Sequence, residues 1–283
     1  MLHIFKLNGH HAAYDCTGRT FYPLSALAMK ILPGLEPPLT PDCPSSLRYA
    51  YAKYDSHDLS DAYAELYSLY EAGLLFAENK ETAAAPAVVY HTLRTSAAAA
   101  KQKIETAAAA GHTHLRVILT DASPCLISSL SEAYSEKLDI CFLADAPEGA
   151  CCGDAELYNR AHCYVKAAGA PFSAAVLALA DQGYRYVTAD IPASDAAVKE
   201  VARLAKEMER RKKEGKEFFF APFDFALSAE NGFDAARAGC GDCWAREICG
   251  GKRLDESGMP SPQCPIERTS IECAILLTED TLL

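Results

Sequence analysis

The sequence has no apolar run near the roughly 20 residues a helix needs to cross a bilayer, so no membrane span is expected. Its first residues, MLHIFKLNGHH, lack the charged, then apolar, then small pattern of a secretory signal, which points to a cytoplasmic protein. It also lacks a basic excess: 27 Lys and Arg stand against 38 Asp and Glu, for a formal net charge of −11. Nucleic-acid binding rests on basic patches that neutralise phosphates, so no nucleic-acid partner is expected. A Gly-rich phosphate loop, a nucleophile elbow and a His-Glu-x-x-His element are missing too.

What is present is a chain of 283 residues, 50% hydrophobic and 23% charged, with mean hydropathy near zero. That is the composition of a soluble globular protein with room for two or three compact units. Twelve cysteines stand out. A reducing compartment disfavours structural disulfides, which shifts the expectation to metal ligands or redox thiols.

Residues 1–23 read as three short strands, HIFKL, HAAYD and RTFYPL, with turn residues Asn8-Gly9 and Thr17-Gly18 between them. A helix is expected over 25–32, then a loop rich in proline (Pro37, Pro38, Pro41, Pro44). A second helix is expected over 59–76, where Leu59, Tyr63, Leu66, Leu69, Tyr70 and Leu74 recur at helical spacing. Strands and helices of this size make a winged-helix-like domain over 1–80. KETAAAP (80–86) reads as a linker.

From Ala87 the pattern alternates. Strands are expected at 88–92, 115–119, 138–143, 184–188 and 218–225, and helices at 96–110, 125–135, 172–182 and 195–214. Short apolar strands between helices imply a parallel α/β sheet over 86–227. With fewer than eight units it is an open or partial (β/α) barrel.

Three strands finish alike, in Leu119-Thr120-Asp121, Leu143-Ala144-Asp145 and Thr188-Ala189-Asp190. Ligands of α/β folds sit beyond the carboxyl ends of the strands, so Asp121, Asp145 and Asp190 are candidates for a binding mouth that takes a cation or a substrate. The competing role is helix or turn capping through acceptance of backbone N–H groups.

The segment 228–283 is rich in cysteine. Cys240 and Cys243 are spaced C-x2-C, Cys249 follows after five residues beside Gly250-Gly251, and Cys264 lies across a loop with Gly258, Pro260 and Pro262. Four thiolates suit a tetrahedral zinc or an iron–sulfur cluster. Cys273 lies in an apolar stretch, 271–277, as a packing residue, Cys16, Cys125, Cys141 and Cys163 are scattered on expected strands or helices as core or surface singles, and Cys151-Cys152 is a loop pair without an assigned use. His10-His11, in an expected turn, and His112-x-His114, at a helix end, have no cysteine or carboxylate partner nearby in sequence.

CGDCWAREICGG resembles the second-cluster half of a SPASM domain, the cysteine-rich extension of radical SAM peptide maturases. The N-terminal IFKLNGHHAAYDCTGRTFYPLSALAMKIL, together with YSLYEAGLLFAE, is similar to the leader-recognition domain that opens the maturases forming thioether cross-links. The segment from Pro171-Phe172 to FFFAPFDF resembles later elements of the same enzymes. The resemblance implies β-augmentation, with a precursor leader adding a strand within 11–22 while helix residues near 69–76 close the groove.

It also implies a loss. The family's C-x3-C-x2-C loop would follow the first barrel strand, where this chain reads Leu93-Arg94-Thr95-Ser96-Ala97, and that spacing occurs nowhere in the sequence. Of the family's Gly-Gly-Glu-Pro element the proline persists, at Pro124, and Arg253 replaces the fourth SPASM cysteine. The resemblance therefore implies a degenerate, non-catalytic relative without an S-adenosylmethionine site. One 4Fe–4S cluster, or alternatively zinc, would sit on Cys240, Cys243, Cys249 and Cys264. Its expected partners are a precursor leader and an active maturase or a second copy of itself. The alternatives are an enzyme using Asp121, Asp145 and Asp190, or a zinc-stabilised winged-helix regulator.

Overall fold

The computed structural model describes residues 2–16, 20–76, 89–121, 123–145, 154–224, 226, 229–230, 243–249 and 261–278. The chain forms two compact units, Met1–Pro86 and Ala87–Leu283. Among the described residues no helix is long and apolar enough to cross a membrane.

The first unit opens with β1 (Leu2–Leu7), β2 (His10–Asp15) and β3 (Thr20–Pro23), an antiparallel meander with β2 in the centre. Asn8 and Gly9 both take positive φ, 53° and 95°, as the tight two-residue turn between twisted strands requires. His10 and His11 lie in β2 rather than in the turn, because the turn needs two residues and the ladder begins at Leu7↔His10. Three helices follow: α1 (Ala26–Ile31), α2 (Ser45–Ala50) and α3 (Ser56–Glu71). The Ser25 hydroxyl accepts from Ala28 N–H at 3.1 Å, and Asp55 accepts from His57 and Asp58 N–H at 2.7 and 3.4 Å, so α1 and α3 each start on a side-chain cap.

Leu59, Ala62, Tyr63 and Leu66 share one face of α3 and are buried with Ala13, Tyr22, Ile31 and Leu75. Tyr63 also donates from its hydroxyl to the Thr40 carbonyl at 2.8 Å, which ties down the proline-rich stretch. That helix starts earlier and stops sooner than the apolar spacing suggested. Gly73 turns to φ 69°, and the N–H groups of Leu74 and Leu75 return to the Leu69 carbonyl at 2.9 and 3.2 Å, a left-handed C-terminal cap.

The second unit alternates β4 (Val89–Thr95), α4 (Ala97–Ala109), β5 (His114–Leu119), α5 (Pro124–Tyr134), β6 (Asp139–Asp145), α6 (Asp154–Arg160), β7 (Cys163–Ala167), α7 (Phe172–Asp181), β8 (Tyr186–Ala189) and α8 (Asp195–Lys213). Then come β9 (Phe219–Phe220), α9 (Ala221–Asp224), β10 (Ala229–Glu230), α10 (Arg246–Cys249) and α11 (Cys264–Thr278). The sheet runs β10-β4-β5-β6-β7-β8-β9 and every pairing is parallel. From β4 to β9 each new strand adds on the same side of the last. Right-handed crossovers then put the connecting helices on one face and leave the other to different neighbours.

The strands themselves record this division. Along β5, Leu115, Val117 and Leu119 are buried while His114, Arg116 and Ile118 are half-buried, a period of two. The register carries the buried set across to Phe142, Ala144, Val165 and Val187. Helices α4, α5, α7 and α8 supply Ile104, Ile127, Val176, Val201 and Leu204 as buried apolar residues.

Four local expectations change. The stretch between β6 and the helix at 172 holds a whole unit, α6 and β7, and the stretch expected as a strand over 218–225 is two strand residues followed by α9. The proline-rich loop contains α2. Cys264 opens a helix of 15 residues, because Pro265 sits in its first turn, where a missing N–H costs nothing.

Candidate functional site

The face of the sheet opposite the crossover helices carries the chemistry. By register its residues are Tyr90 and Arg94 on β4, Arg116 and Ile118 on β5, Cys141, Leu143 and Asp145 on β6, Tyr164 and Lys166 on β7, Tyr186 and Thr188 on β8, and Phe219 on β9. Its centre is closed by packing. Cys141, Tyr164 and Ala221 are buried against Leu143, Tyr186 and Phe219. Tyr186 stacks on Phe219 with centroids 5.1 Å apart and meets Tyr164 edge-on at 5.4 Å.

Around this plug lie two adjoining cavities of about 380 and 260 Å³ that share Leu143, Thr188, Ala189 and Asp190. The larger runs between Arg116 on the sheet and Gln263, Ile266, Glu267 and Ser270 of α11. The smaller opens at the carboxyl ends of the strands, between Arg94, Thr120, Asp145 and Lys166. Gln263 donates from Nε2 to the Ile191 carbonyl at 3.2 Å, fixing the start of α11 to the loop after β8. Arg116 lies over the Tyr90 ring at 5.8 Å.

The three strand-end carboxylates part ways. Asp121 accepts from the Ala97 N–H at 2.6 Å and so caps α4, the helix before its own strand; Ser96, at the cap position, makes no such bond. The capping expectation holds for Asp121, with a different helix as its object. Asp145 and Asp190 do line one cleft, but Arg94 and Lys166 line it with them, and Lys166 Nζ stands 2.7 Å from Asp190. A cleft with two cations beside two carboxylates suits a polar or zwitterionic ligand better than a bare divalent cation.

Residues the sequence reading passed over are Arg116, Arg94, Lys166 and Glu267. The signal was available for three of them: a full charge inside a short apolar strand, as in HLRVIL and CYVKA, marks the face not covered by helices. Glu267 carried no signal, since its helix was not expected.

Tyr164 donates to Asp224 Oδ2 at 2.9 Å. Desolvation by the surrounding protein pushes the Asp224 carboxyl up to about 7, the Tyr164 hydrogen bond pulls it back and the Glu217 charge adds to the rise. Tyr164 itself is raised, first by burial and then by the Asp224 charge.

Of the four candidate metal ligands, Cys240 lies outside the described residues. Cys249 ends α10, Cys264 begins α11, and these two and Cys243 are half-buried. Among the described residues no group of three or more His, Cys, Asp or Glu is placed to hold a metal. By contrast Cys141, Cys163 and Cys273 are buried and their thiols are pushed up by burial, which makes them packing groups. Cys151 and Cys152 lie outside the described residues. The imidazoles of His91 and His112 stack on each other at 3.9 Å, and His114 Nε2 lies 3.9 Å from Asp139, whose carboxylate accepts from the Tyr90 hydroxyl at 3.0 Å.

The fold and cleft define a parallel α/β protein with a polar open face, preceded by a small antiparallel sheet unit. No family model matches the chain, and no curated protein matches it.

Proposed function

We propose that this is a non-catalytic, cytoplasmic relative of the radical SAM/SPASM peptide maturases. In this reading the winged-helix-like first unit binds the leader of a ribosomally made precursor peptide, and the second unit is a shortened partial barrel. The protein acts beside an active maturase or a second copy of itself. One thiolate site on Cys240, Cys243, Cys249 and Cys264 holds a 4Fe–4S cluster, or alternatively zinc.

The observation that carries the reading is the edge of the meander. Among the described residues β3 pairs with β2 and with no other strand, so its far side is open for an added strand. Within 11–22 the open edge is β3, because β2 is paired on both sides; β1 forms the other edge of the meander. Leu24 N–H donates to the His11 carbonyl at 2.9 Å, and antiparallel pairs alternate; Tyr22 and Thr20 therefore face β2 and Phe21 faces outward. Pro23 faces outward as an acceptor without a donor. A docking peptide would exchange hydrogen bonds with Phe21. The absence of C-x3-C-x2-C from the whole sequence supports the non-catalytic part.

The test is selection of a displayed random peptide library on the full chain, followed by amide exchange. Enriched peptides should slow exchange at Phe21, and Phe21→Pro, which removes the outward N–H and leaves the β2 ladder intact, should abolish their binding. Peptides that bind Phe21→Pro as well as the unchanged chain would sink the edge-docking reading. Formation of 5′-deoxyadenosine from S-adenosylmethionine by reduced, anaerobically purified protein would sink the non-catalytic one. Metal analysis of the same sample decides between iron with sulfide and zinc.

A further inference from the structure

We propose that the pocket between α8, β9, α9 and α11 binds a small organic amine as its ammonium, with the charge at Glu217 and Asp224 and the hydrocarbon body among Phe218, Phe219 and Phe223. The pocket measures about 240 Å³. A cavity of about 150 Å³ already takes one benzene ring, so a ring or short chain carrying an amine fits. Met208 from α8 and Leu277 from α11 complete the apolar wall. Met208, Phe218 and Phe223 are buried, and hydrocarbon placed against them is withdrawn from water.

The charges of the wall select an amine. Glu217 and Asp224 both line the pocket, and the Glu217 charge adds to the rise of the Asp224 carboxyl, so the two stand close enough to repel. Asp224 accepts from the Tyr164 hydroxyl at 2.9 Å, a neutral donor that fills one acceptor position and offsets none of the charge. Among the described residues no ion pair reaches either carboxylate; Lys212, the basic residue of the wall, is engaged elsewhere. An ammonium in the pocket meets an anion on each contact, whereas a carboxylate ligand is repelled and an alcohol leaves both charges unmatched. The pocket also lies beside the last turn of α8, where the partial negative charge of the helix end favours a cation. The phenyl rings suit the same ligand: Arg211 lies over Phe218 and Arg185 over Phe219, each at 5.8 Å, so rings of this wall already hold cations.

The pocket differs in chemistry from the β3 edge, which recognises main chain, and stands or falls independently of it. Thermal melts of the full chain with phenethylamine, tyramine and hexylamine as probes, followed by calorimetric titration of those that shift it, test the assignment. At least one amine should raise the melting temperature in a dose-dependent way. Phenylethanol, hexanol and phenylacetate, of matching size without the ammonium, should not. Glu217→Gln, at an exposed position, and Asp224→Asn, which keeps an acceptor for Tyr164, should each weaken binding by about tenfold, the loss of one charge-assisted contact. Leu277→Trp, which fills the pocket from a half-buried position, should abolish it. Because the ammonium competes with the Asp224 proton, affinity should rise from about pH 6 to about pH 8 in the unchanged chain and stay nearly level in Asp224→Asn. The other groups facing Asp224 are Tyr164, Tyr186 and Cys141, all held protonated chiefly by burial, with Glu217 and Lys212. The proposal is overturned if no amine shifts the melt, if the alcohols bind as well as the amines, if Glu217→Gln binds unchanged, or if affinity is flat across that pH range.

Discussion

The two faces of the parallel sheet are made by the same strands and obey different rules. On the helix-covered face Leu115, Val117, Phe142, Val165 and Val187 are fully buried apolar residues. On the opposite face the same strands present Arg116, Lys166, Asp145 and Thr188 around an aromatic plug. A sheet buried on both sides reads as continuous apolar strands; here the period of two survives inside a parallel sheet, because one face is apolar and packed while the other carries polar and charged side chains. The comparison predicts that stability lives on the first face and binding on the second.

The largest effect should come from the packed face. Phe142→Ala leaves a cavity under α5 and its neighbours and should cost about 3–5 kcal/mol in denaturant unfolding of the second unit. An equally large loss on replacing Leu143 by Ala, its neighbour on the other face, would erase the distinction between the faces. Next comes the cap that crosses between them: Asp121→Ala removes the acceptor for Ala97 N–H and should cost about 1 kcal/mol, with Asp121→Asn recovering most of it. If Asp121→Ala is neutral, the carboxylate belongs to the cleft after all. On the open face Lys166→Met should change stability by less than about 1 kcal/mol, since its pairing with Asp190 is between partly exposed groups.

The outcome explains which parts of the molecule could be read without coordinates. The long elements announced themselves: α8 follows a capping serine, with Ser194 Oγ accepting from Ala197 N–H at 3.2 Å, and ends in a basic run before Gly215 at φ 70°. That run is less solvated than its composition suggests, since Arg211 pairs with Asp181 at 2.8 Å and Arg210 and Arg211 both bind Glu207, holding its carboxyl down at about 2. The unit α6–β7 was hidden because Pro147, Gly149 and Gly153 precede a helix of seven residues and a strand, CYVKA, with a charge in it. Helix α11 was hidden because prolines at 260, 262 and 265 crowd its start, although Pro265 suits a first turn. With α11 unseen, the cavity had no roof, and the strand-end aspartates were the charged groups in view.

The smallest expected effect is the most specific to the open face. Asp224 titrates with its carboxyl raised, to about 7, above the ordinary unfolded value near 4. A carboxyl whose folded pKa is raised binds its proton more tightly in the native state. Its contribution to stability is therefore full below about pH 4 and is lost as the pH climbs through about 7. Because Asp224 keeps an exposed surface while its carboxylate is hydrogen-bonded by Tyr164, solvent tempers the size of this loss. Unfolding free energies of the unchanged chain and of Asp224→Asn, measured from about pH 4 to about pH 8, should diverge over that window. The unchanged chain should lose stability relative to the variant as the carboxyl ionises. Parallel curves would assign Asp224 to the solvated rim.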